Sequence, residues 1–355
     1  MRAKDGPVRM GVVGLGRAGW DIHIRAIRGR KDFVLTDVVD LDKGRLEEAR
    51  AEFGCRTYRD FREFLGDSDA ELAVIASQSK DHAWMSWEAL KAGKHVLSEK
   101  PVVTRFRDMD RLLAAAKAAK AKGVLFTIHQ NARLASDLLH VKEIMRSGVL
   151  GNIFNIRRGS YGYGRRNDWQ TLRKYGGGNL NNNGVHMIDQ VVQLLDSPVK
   201  DVFGDLQQIL IPGDTEDHLK VVMRAESGMV AEVEVSTACA LPLPTWVLMG
   251  SRGTLVSDGK TSRLRYHEPK RLPRLKAVDS RAVAGRRYGV LPAGEKLTFK
   301  EETMPSALPS KREFYDYLYD SIRKGKPLFV QPEKVREVMW IIRQARKGTA
   351  FPETA

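Results

Sequence analysis

"VRMGVVGLGRAGWDIHIRAIRG", residues 8–29, decides how this chain folds. A short apolar run, Val8 to Val13, leads into Gly14-x-Gly16-x-x-Gly19, and a helical pattern follows. Three glycines alone are weak evidence, but a strand before them and a helix after them give the pattern a mechanism. Gly14 allows a tight turn, Gly16 lets the backbone approach a pyrophosphate, and Gly19 lets helix and strand pack closely. The helix start then offers free N–H groups and a positive dipole end to the phosphates. The next apolar stretch, "FVLTDVVD", ends on Asp40, 21 residues beyond Gly19. An acid there can accept from both adenosine ribose hydroxyls and repels a 2′-phosphate, which favours NAD over NADP; Arg45 stands near enough to leave NADP open.

Working outward, strand-like and helix-like segments alternate: "AELAVIAS" (70–77), "DHAWMSWEALKAG" (81–93), "KHVLSE" (94–99), "RDMDRLLAAAKAAKAKG" (107–123) and "VLFTIH" (124–129). Such alternation predicts a parallel, doubly wound sheet, whose ligands sit outside the carboxyl ends of its strands. Lys100 falls at one of those ends, in "SEKP". Pro101 fixes the local backbone behind it, with a cis Lys100–Pro101 bond as an open alternative.

After about residue 125 the character changes. A helix over 134–147 is followed by an extended stretch, "NIFNIRRGSYGYG" (152–164). The segments "HLKVVMRA" (218–225), "MVAEVEVSTACA" (229–240) and "TWVLMGSRGTLVSDG" (245–259) alternate like neighbouring antiparallel strands. We expect residues 1–125 to form the dinucleotide-binding domain. Residues 126–355 are expected to form an α+β domain on a large, open, mainly antiparallel sheet. Ser310-x-x-Glu313 reads as a capping box before "FYDYLYDSIRKG", and Pro332 as the opening of the last helix.

Composition bounds the function. No apolar run approaches the roughly 20 residues of a membrane helix, and no apolar signal region precedes the first glycine turn. Cys55 and Cys239 alone exclude a disulfide scaffold and a Cys-rich zinc site, so a reducing, cytoplasmic setting is expected. The histidines show no metal-ligand spacing, so no metal is expected. The formal net charge is +15, and residues 260–300 hold twelve Lys/Arg against three acids (Glu268, Asp279, Glu295). That segment reads either as a solvated or subunit-contact surface or as a guide for an anionic ligand. It lacks interleaved aromatics, so nucleic acid is not expected.

A second unusual stretch, "GGGNLNNNGVHMID" (176–189), places three glycines and a run of amides before a helix. The glycines let the backbone approach something closely, such as the nicotinamide half of a cofactor or the substrate. Asn182 and His186 are four apart and share a helix face, with Asp189 on the same side. A surface lysine and a hydrogen-bonded helix histidine are the plain readings of Lys100 and His186 taken singly. Packing requires neither, so the pair is the better pointer to chemistry. His129, Gln130, Asn131 and Arg133 follow a strand end near the domain junction, where one of them could touch substrate. Trp169, Tyr161 and Tyr163 are either an apolar floor for a sugar ring or core.

The motifs "GVVGLGRAG", the Asp40 turn, "AGKHVLSEKPV" and "GGGNLNNNGVHMID" resemble, in order and spacing, the Gfo/Idh/MocA family of NAD(P)-dependent sugar and cyclitol oxidoreductases. The resemblance implies a Rossmann domain followed by an open-sheet domain, and a homodimer or homotetramer formed through that sheet. It implies that Lys100 hydrogen-bonds the reacting hydroxyl and that His186 is the general acid/base. Asn182 stands where many members carry aspartate, and Gln170 follows Trp169 where an arginine is expected. The implied cofactor contacts are Gly14, Gly16, Arg17, Ala18, Gly19, Asp40 and Arg45, with Ser77, His82, Glu99 and Lys100. Packing remains the plainer role for His82 and His95. The implied substrate contacts are Lys100, Asn131, Arg133, Trp169, Asn182 and His186. The expected substrate is a sugar, sugar derivative or cyclitol, with an anionic one left open. The alternatives are a redox-assisted glycosidase or lyase and a non-catalytic NAD-binding sensor.

Overall fold

The computed structural model describes residues 6–268, 276, 277, 279 and 298–353, so most of the basic stretch within 260–300 lies outside the described residues. The first sheet is built from β1 (Val8–Val13), β2 (Phe33–Val39), β3 (Arg56–Tyr58), β4 (Leu72–Ile75), β5 (His95–Ser98) and β6 (Phe126–Ile128). Its order is β3-β2-β1-β4-β5-β6, with every pairing parallel. Helices α1 (Arg25–Ile27), α2 (Lys43–Phe53), α3 (Phe61–Asp67), α4 (His82–Lys91) and α5 (Phe106–Lys120) lie along the chain between these strands. All four residues of β4 have no exposed surface. Continuous burial is what helices on both faces of a parallel sheet produce.

The second sheet alternates instead. After α6 (Ser136–Ser147) come β7 (Ile153–Tyr161), α7 (Val185–Val192), β8 (Val199–Gln207), β9 (His218–Ala225), β10 (Val230–Ser236), β11 (Trp246–Gly250), β12 (Gly253–Ser257), β13 (Thr261–Tyr266) and β14 (Lys300–Pro305). The order is β14-β13-β12-β11-β7-β10-β9-β8. Leu219, Val221, Met223 and Ala225 of β9 are buried while His218, Lys220 and Val222 are half-buried, the signature of a sheet covered on one face. Helices α7 and α9 (Pro332–Arg346) pack on that covered face. The three alternating segments are not all neighbours, as their patterns suggested. β7 inserts between β10 and β11 and runs parallel to β10. Alternation reports which face is buried, not which strand lies alongside.

β6 completes the first sheet, so that sheet extends past residue 125. Helix α8 (Phe314–Lys324) also returns to it. Tyr315 sits edge-on to Phe33 with ring centroids 5.1 Å apart, and Arg30 bonds Asp316 at 2.6 Å and Glu313 at 3.1 Å. The box that opens α8 is Glu313 with Asp316, not Ser310 with Glu313. The helix begins at Phe314 as expected, but its box lies three residues later, and Ser310 Oγ is spent on the turn at Arg312. Pro332 opens α9 as expected. Among the described residues no helix is long and apolar enough to cross a membrane.

Strand β8 meets α9 at Gly204, where a Cβ would overlap the Ala345 carbonyl oxygen. Gly204→Ala should therefore destabilise the chain by about 1–3 kcal/mol through overpacking. Thermal unfolding of the variant should show a lower Tm, with the far-UV spectrum of the folded state unchanged.

Candidate functional site

The glycine turn is tight for the reasons its spacing suggests. Gly14 has φ +93°, and a Cβ there would lie 2.7 Å from the Ala76 carbonyl oxygen and 2.9 Å from Ser77 Cα. A Cβ on Gly19 would overlap the Gly14 carbonyl oxygen, whereas one on Gly16 would meet nothing within 4 Å. The middle glycine alone thus faces open space, as a turn that admits a pyrophosphate requires. At the end of β2, Asp40 accepts from Leu15 N at 2.6 Å and from Asp42 N at 2.9 Å, and Arg45 stands 3.6 Å away. The acid is locked to the turn, beside the expected ribose site. Open backbone at Gly16 and an acid at the end of β2 fit an NAD-type dinucleotide.

The chain then forms a widened, π-type turn over Ala18–Ile24 before α1. A second widened turn, Leu180–Gly184, opens α7. Sequence periodicity carries no sign of either. Lys100 leaves the carboxyl end of β5 through a cis Lys100–Pro101 bond and reaches the second widened turn. Its Nζ donates to Asn182 O at 2.8 Å and lies 3.5 Å from Asn182 Oδ1. His186 follows one turn later, on α7. Lys100, Asn182 and His186, drawn from opposite halves of the chain, are brought together.

Burial sets their protonation. Burial lowers the Lys100 amine, the charge of Glu99 works against that, and Arg17 adds to the lowering; the net direction is down. His186 is pushed down to about 3, first by burial and then by the Lys100 charge. Its Nδ1 is buried with no hydrogen-bond partner among the described residues. The imidazole is neutral at physiological pH, with one nitrogen unused.

Around Lys100 lies a group that the sequence did not assemble. Glu99 is buried, and its Oε1 accepts from His129 Nδ1 at 2.7 Å and from His23 Nε2 at 3.0 Å. Burial alone would raise this carboxyl, but His129 and His23 outweigh it and hold Glu99 well below the usual carboxylate range. The ligand-type atoms of His23, Glu99 and His129 lie within 4.8 Å of one another, a cluster that sequence spacing could not show.

Other expected contacts fall elsewhere. Arg133 is buried and bonds Asp189 through two contacts, 2.6 and 2.8 Å, so its guanidinium braces α7 and does not face a substrate. His82 is buried with its ring nitrogens against Pro101 O (2.8 Å) and Ser77 O (3.1 Å), a brace between two strand ends. Glu99 is likewise enclosed. Asn131 is exposed, Trp169 and Tyr161 are half-buried and Tyr163 is 66% exposed, so none of the three aromatic side chains is fully buried core. The three glycines approach protein, not ligand. Cβ atoms at Gly176 and Gly178 would lie 2.6 Å from Thr104 Cγ2 and 2.5 Å from Glu216 Oε1, and one at Gly177 would overlap Gln170 O. In the amide run, Asn181 bonds Gly176 O and Gly177 O, and Asn183 bonds Asn179; Asn182 alone turns to Lys100.

Beside Asn182 opens a cleft of about 340 Å³. Arg17 of the glycine turn, Asp168, Gln170, Asn179 and Asn183 line it, with Arg165 and Arg166 at the edge. Arg166 bonds Asp168 at 2.7 and 3.0 Å, and Arg17 approaches the same carboxylate at 3.7 Å.

A dinucleotide turn, an open cleft beside it and a lysine at a strand's carboxyl end define a nicotinamide-dependent oxidoreductase. The chain belongs to the Gfo/Idh/MocA family. Residues 8–128 match the model of the oxidoreductase family's NAD-binding Rossmann fold, and residues 138–256 match the GFO/IDH/MocA C-terminal domain. It is 28% identical over 261 residues to the myo-inositol 2-dehydrogenase of Thermotoga maritima, covering 71% of this chain and 75% of that one. It is 25% identical over 364 residues to the scyllo-inositol 2-dehydrogenase (NADP(+)) IolW of Bacillus subtilis, covering 99% and 97%. The fold matches an NAD-binding protein from Listeria innocua with a TM-score of 0.78 at 25% identity, over 95% and 94% of the two chains. It also matches the WlbA dehydrogenase of Bordetella pertussis, solved with NADH and UDP-GlcNAcA, with a TM-score of 0.76 at 22% identity over 97% and 98%. The protein is an NAD(P)-dependent oxidoreductase.

The buried imidazoles give a pH dependence of stability. The unfolded forms of His23, His82 and His186 take a proton near 6.5, and the folded forms do so only at lower pH. Unfolding therefore takes up protons below pH 6.5, and stability falls as pH drops, by about 1.4 kcal/mol per pH unit for each proton taken up. Tm measured from pH 8 to 4 should be flat above about 7 and fall below 6.5; His186→Asn should make the fall shallower.

Proposed function

We propose that the chain oxidises, and in reverse forms, a secondary alcohol on a sugar, sugar derivative or cyclitol. The observation that carries this reading is the Lys100 amino group 2.8 Å from Asn182 O, on the segment that leads into His186 and borders the open cleft. Asn179, Asn182, Asn183 and Gln170 offer donors and acceptors suited to ring hydroxyls. The arginines at the edge suit an anionic substituent.

The cofactor would be held by the Gly14–Gly19 turn and Asp40, with Arg17 and Arg45 beside them, and it supplies hydride acceptance and return when bound. The remaining work falls to side chains. Lys100, as an ammonium, stabilises negative charge developing on the alcohol oxygen, and in reverse it polarises the ketone. His186, neutral and partly desolvated, takes the hydroxyl proton. Lysine charge depresses its basicity, and an alkoxide forming between the two offsets that charge, so proton acceptance improves as the reaction advances. Asn182 cannot exchange a proton. It orients the lysine through its carbonyl and amide oxygens.

Assembly through the outer face of the second sheet belongs to the same proposal. Phe203 is 65% exposed there, and Val222 and Val247 are only half-buried. A homodimer or homotetramer would cover that face.

Absorbance of reduced nicotinamide, followed with NAD or NADP and a panel of inositols, hexoses and uronic acids, tests the activity. Lys100→Met should lower kcat by about 10²-fold or more while leaving the Kd for NAD within a factor of a few. Undiminished turnover by that variant would remove Lys100 from the chemistry. Cofactor binding without reduction across the panel would favour a sensor.

A further inference from the structure

The hydrogen bonds of Lys100 Nζ go to Asn182 O and Oδ1, neither of them charged. The acid nearest in sequence, Glu99, is held in an unusual way. It is buried, and it takes three N–H donors: His129 Nδ1 (2.7 Å) and His23 Nε2 (3.0 Å) on Oε1, and the backbone N–H of Lys100 (3.0 Å) on Oε2. A carboxylate only accepts, so these contacts fix both tautomers: His129 carries its proton on Nδ1 and His23 on Nε2. His23 Nδ1 is then an acceptor, and Tyr315 OH lies 2.8 Å from it, in position to donate. His23, Glu99, His129 and Tyr315 are all less than 5% exposed. His23 and His129 come from two remote segments to one carboxylate, and Tyr315, on a helix 292 residues from His23, reaches it through His23.

Burying an ionised carboxylate is costly unless it is hydrogen-bonded, and here three N–H donors occupy three of its roughly four acceptor sites. A packing role alone would be served more cheaply by apolar residues of similar volume. The charge itself is the feature to explain, and its neighbour in the chain is the lysine.

We propose that His23 and His129 are positioning residues for the reaction: together they keep Glu99 a carboxylate beside Lys100, which keeps the lysine amino group an ammonium inside a buried site. This rests on the role of Lys100 given above. Other charged or titratable groups face the cluster as well. His82 acts on His23, Arg17 on Lys100, Arg30 on Tyr315, and His186 lies within reach of Glu99, His129 and Lys100. None of these except Glu99 is an anion, so it alone among them favours the charged lysine.

Two measurements test this without a substrate, so an unproductive substrate panel would count against the proposed activity and leave this inference standing. The first is the ¹⁵N spectrum of histidine-labelled protein at pH 8. The expected pattern is Nδ1–H for His129 and Nε2–H for His23; the opposite tautomers, or shifts of metal-bound imidazole with a stoichiometric divalent ion, would overturn it. The second is the ionisation of Lys100, read by pH-dependent competitive acetylation and peptide mass spectrometry. Glu99→Gln should move the lysine midpoint down by about one pH unit, the size expected for loss of a neighbouring opposite charge. The double variant His23→Phe/His129→Phe should do the same, because a buried carboxylate stripped of its side-chain donors becomes protonated. His129→Asn, which still offers an N–H, should keep the midpoint near that of the unaltered protein. A folded Glu99→Gln protein with an unmoved midpoint would reduce the cluster to packing.

Discussion

The contact on which this molecule depends is the one between Lys100 Nζ and the carbonyl of Asn182. The acceptor sits in an irregular helix start, the widened turn over Leu180–Gly184 that leads into α7. Widened turns of this kind are frequent at functional sites. The first widened turn, Ala18–Ile24, carries His23, which reaches Glu99. The two irregular helix starts, one in each half of the chain, therefore converge on the same Glu99–Lys100 pair.

Buried ion pairs fix that convergence. Asp189, with no exposed surface, receives two hydrogen bonds from Arg133 and ties α7 to the segment after β6. Glu216, equally enclosed, accepts from Leu180 N at 2.9 Å and stands 3.8 Å from Arg346 of α9, and Arg346 also bonds Asn181 at 3.2 Å. Arg323 of α8 pairs with Glu71 at 2.8 Å beside β4. Such pairs add little net stability, since desolvation offsets much of the attraction, but a misplaced partner is strongly penalised. They act on geometry more than on depth of the energy well. The Arg133 and Arg323 pairs tie α7 and α8 to the first half of the chain, and the Glu216–Arg346 pair ties α9 to the turn that opens α7.

The parts legible in the sequence are those whose cause is local. The Gly14–Gly19 turn, Asp40 and the position of Lys100 after β5 all follow from the strand–turn–helix pattern, because each residue answers to backbone within a few positions of it. The roles of Lys100 and His186 came from the family resemblance, and Lys100 Nζ lies on the turn that leads into His186. What stayed hidden depends on distant partners. Arg133 reads as a strand-end residue open to ligand until Asp189, 56 residues on, is seen to claim it. Gly178 looks like a ligand cradle until the Glu216 carboxylate is found against it. The order of the second sheet was hidden for the same reason, since β7 and β10 pair in parallel across a long connection that leaves no periodic trace.

His129 shows how far this reasoning reaches. At the end of a strand near the junction it had a reason to be noticed, but its chemistry is set by Glu99, and Glu99 in turn by His23 on the first widened turn. A histidine whose Nδ1–H is taken by a carboxylate has a fixed ring and a fixed tautomer. The same holds for His23 through its Nε2–H, with Tyr315 beyond it. The site therefore has two kinds of imidazole. His186 has no partner at Nδ1 among the described residues and is depressed by burial and by lysine charge, and in the proposed reaction it changes its proton state as charge develops beside it. His23 and His129 are locked by hydrogen bonds to an anion. In the proposed reaction, proton transfer falls to His186 on the helix of the second half, and the groups that hold the carboxylate are His23 on the first widened turn and His129 at a strand end.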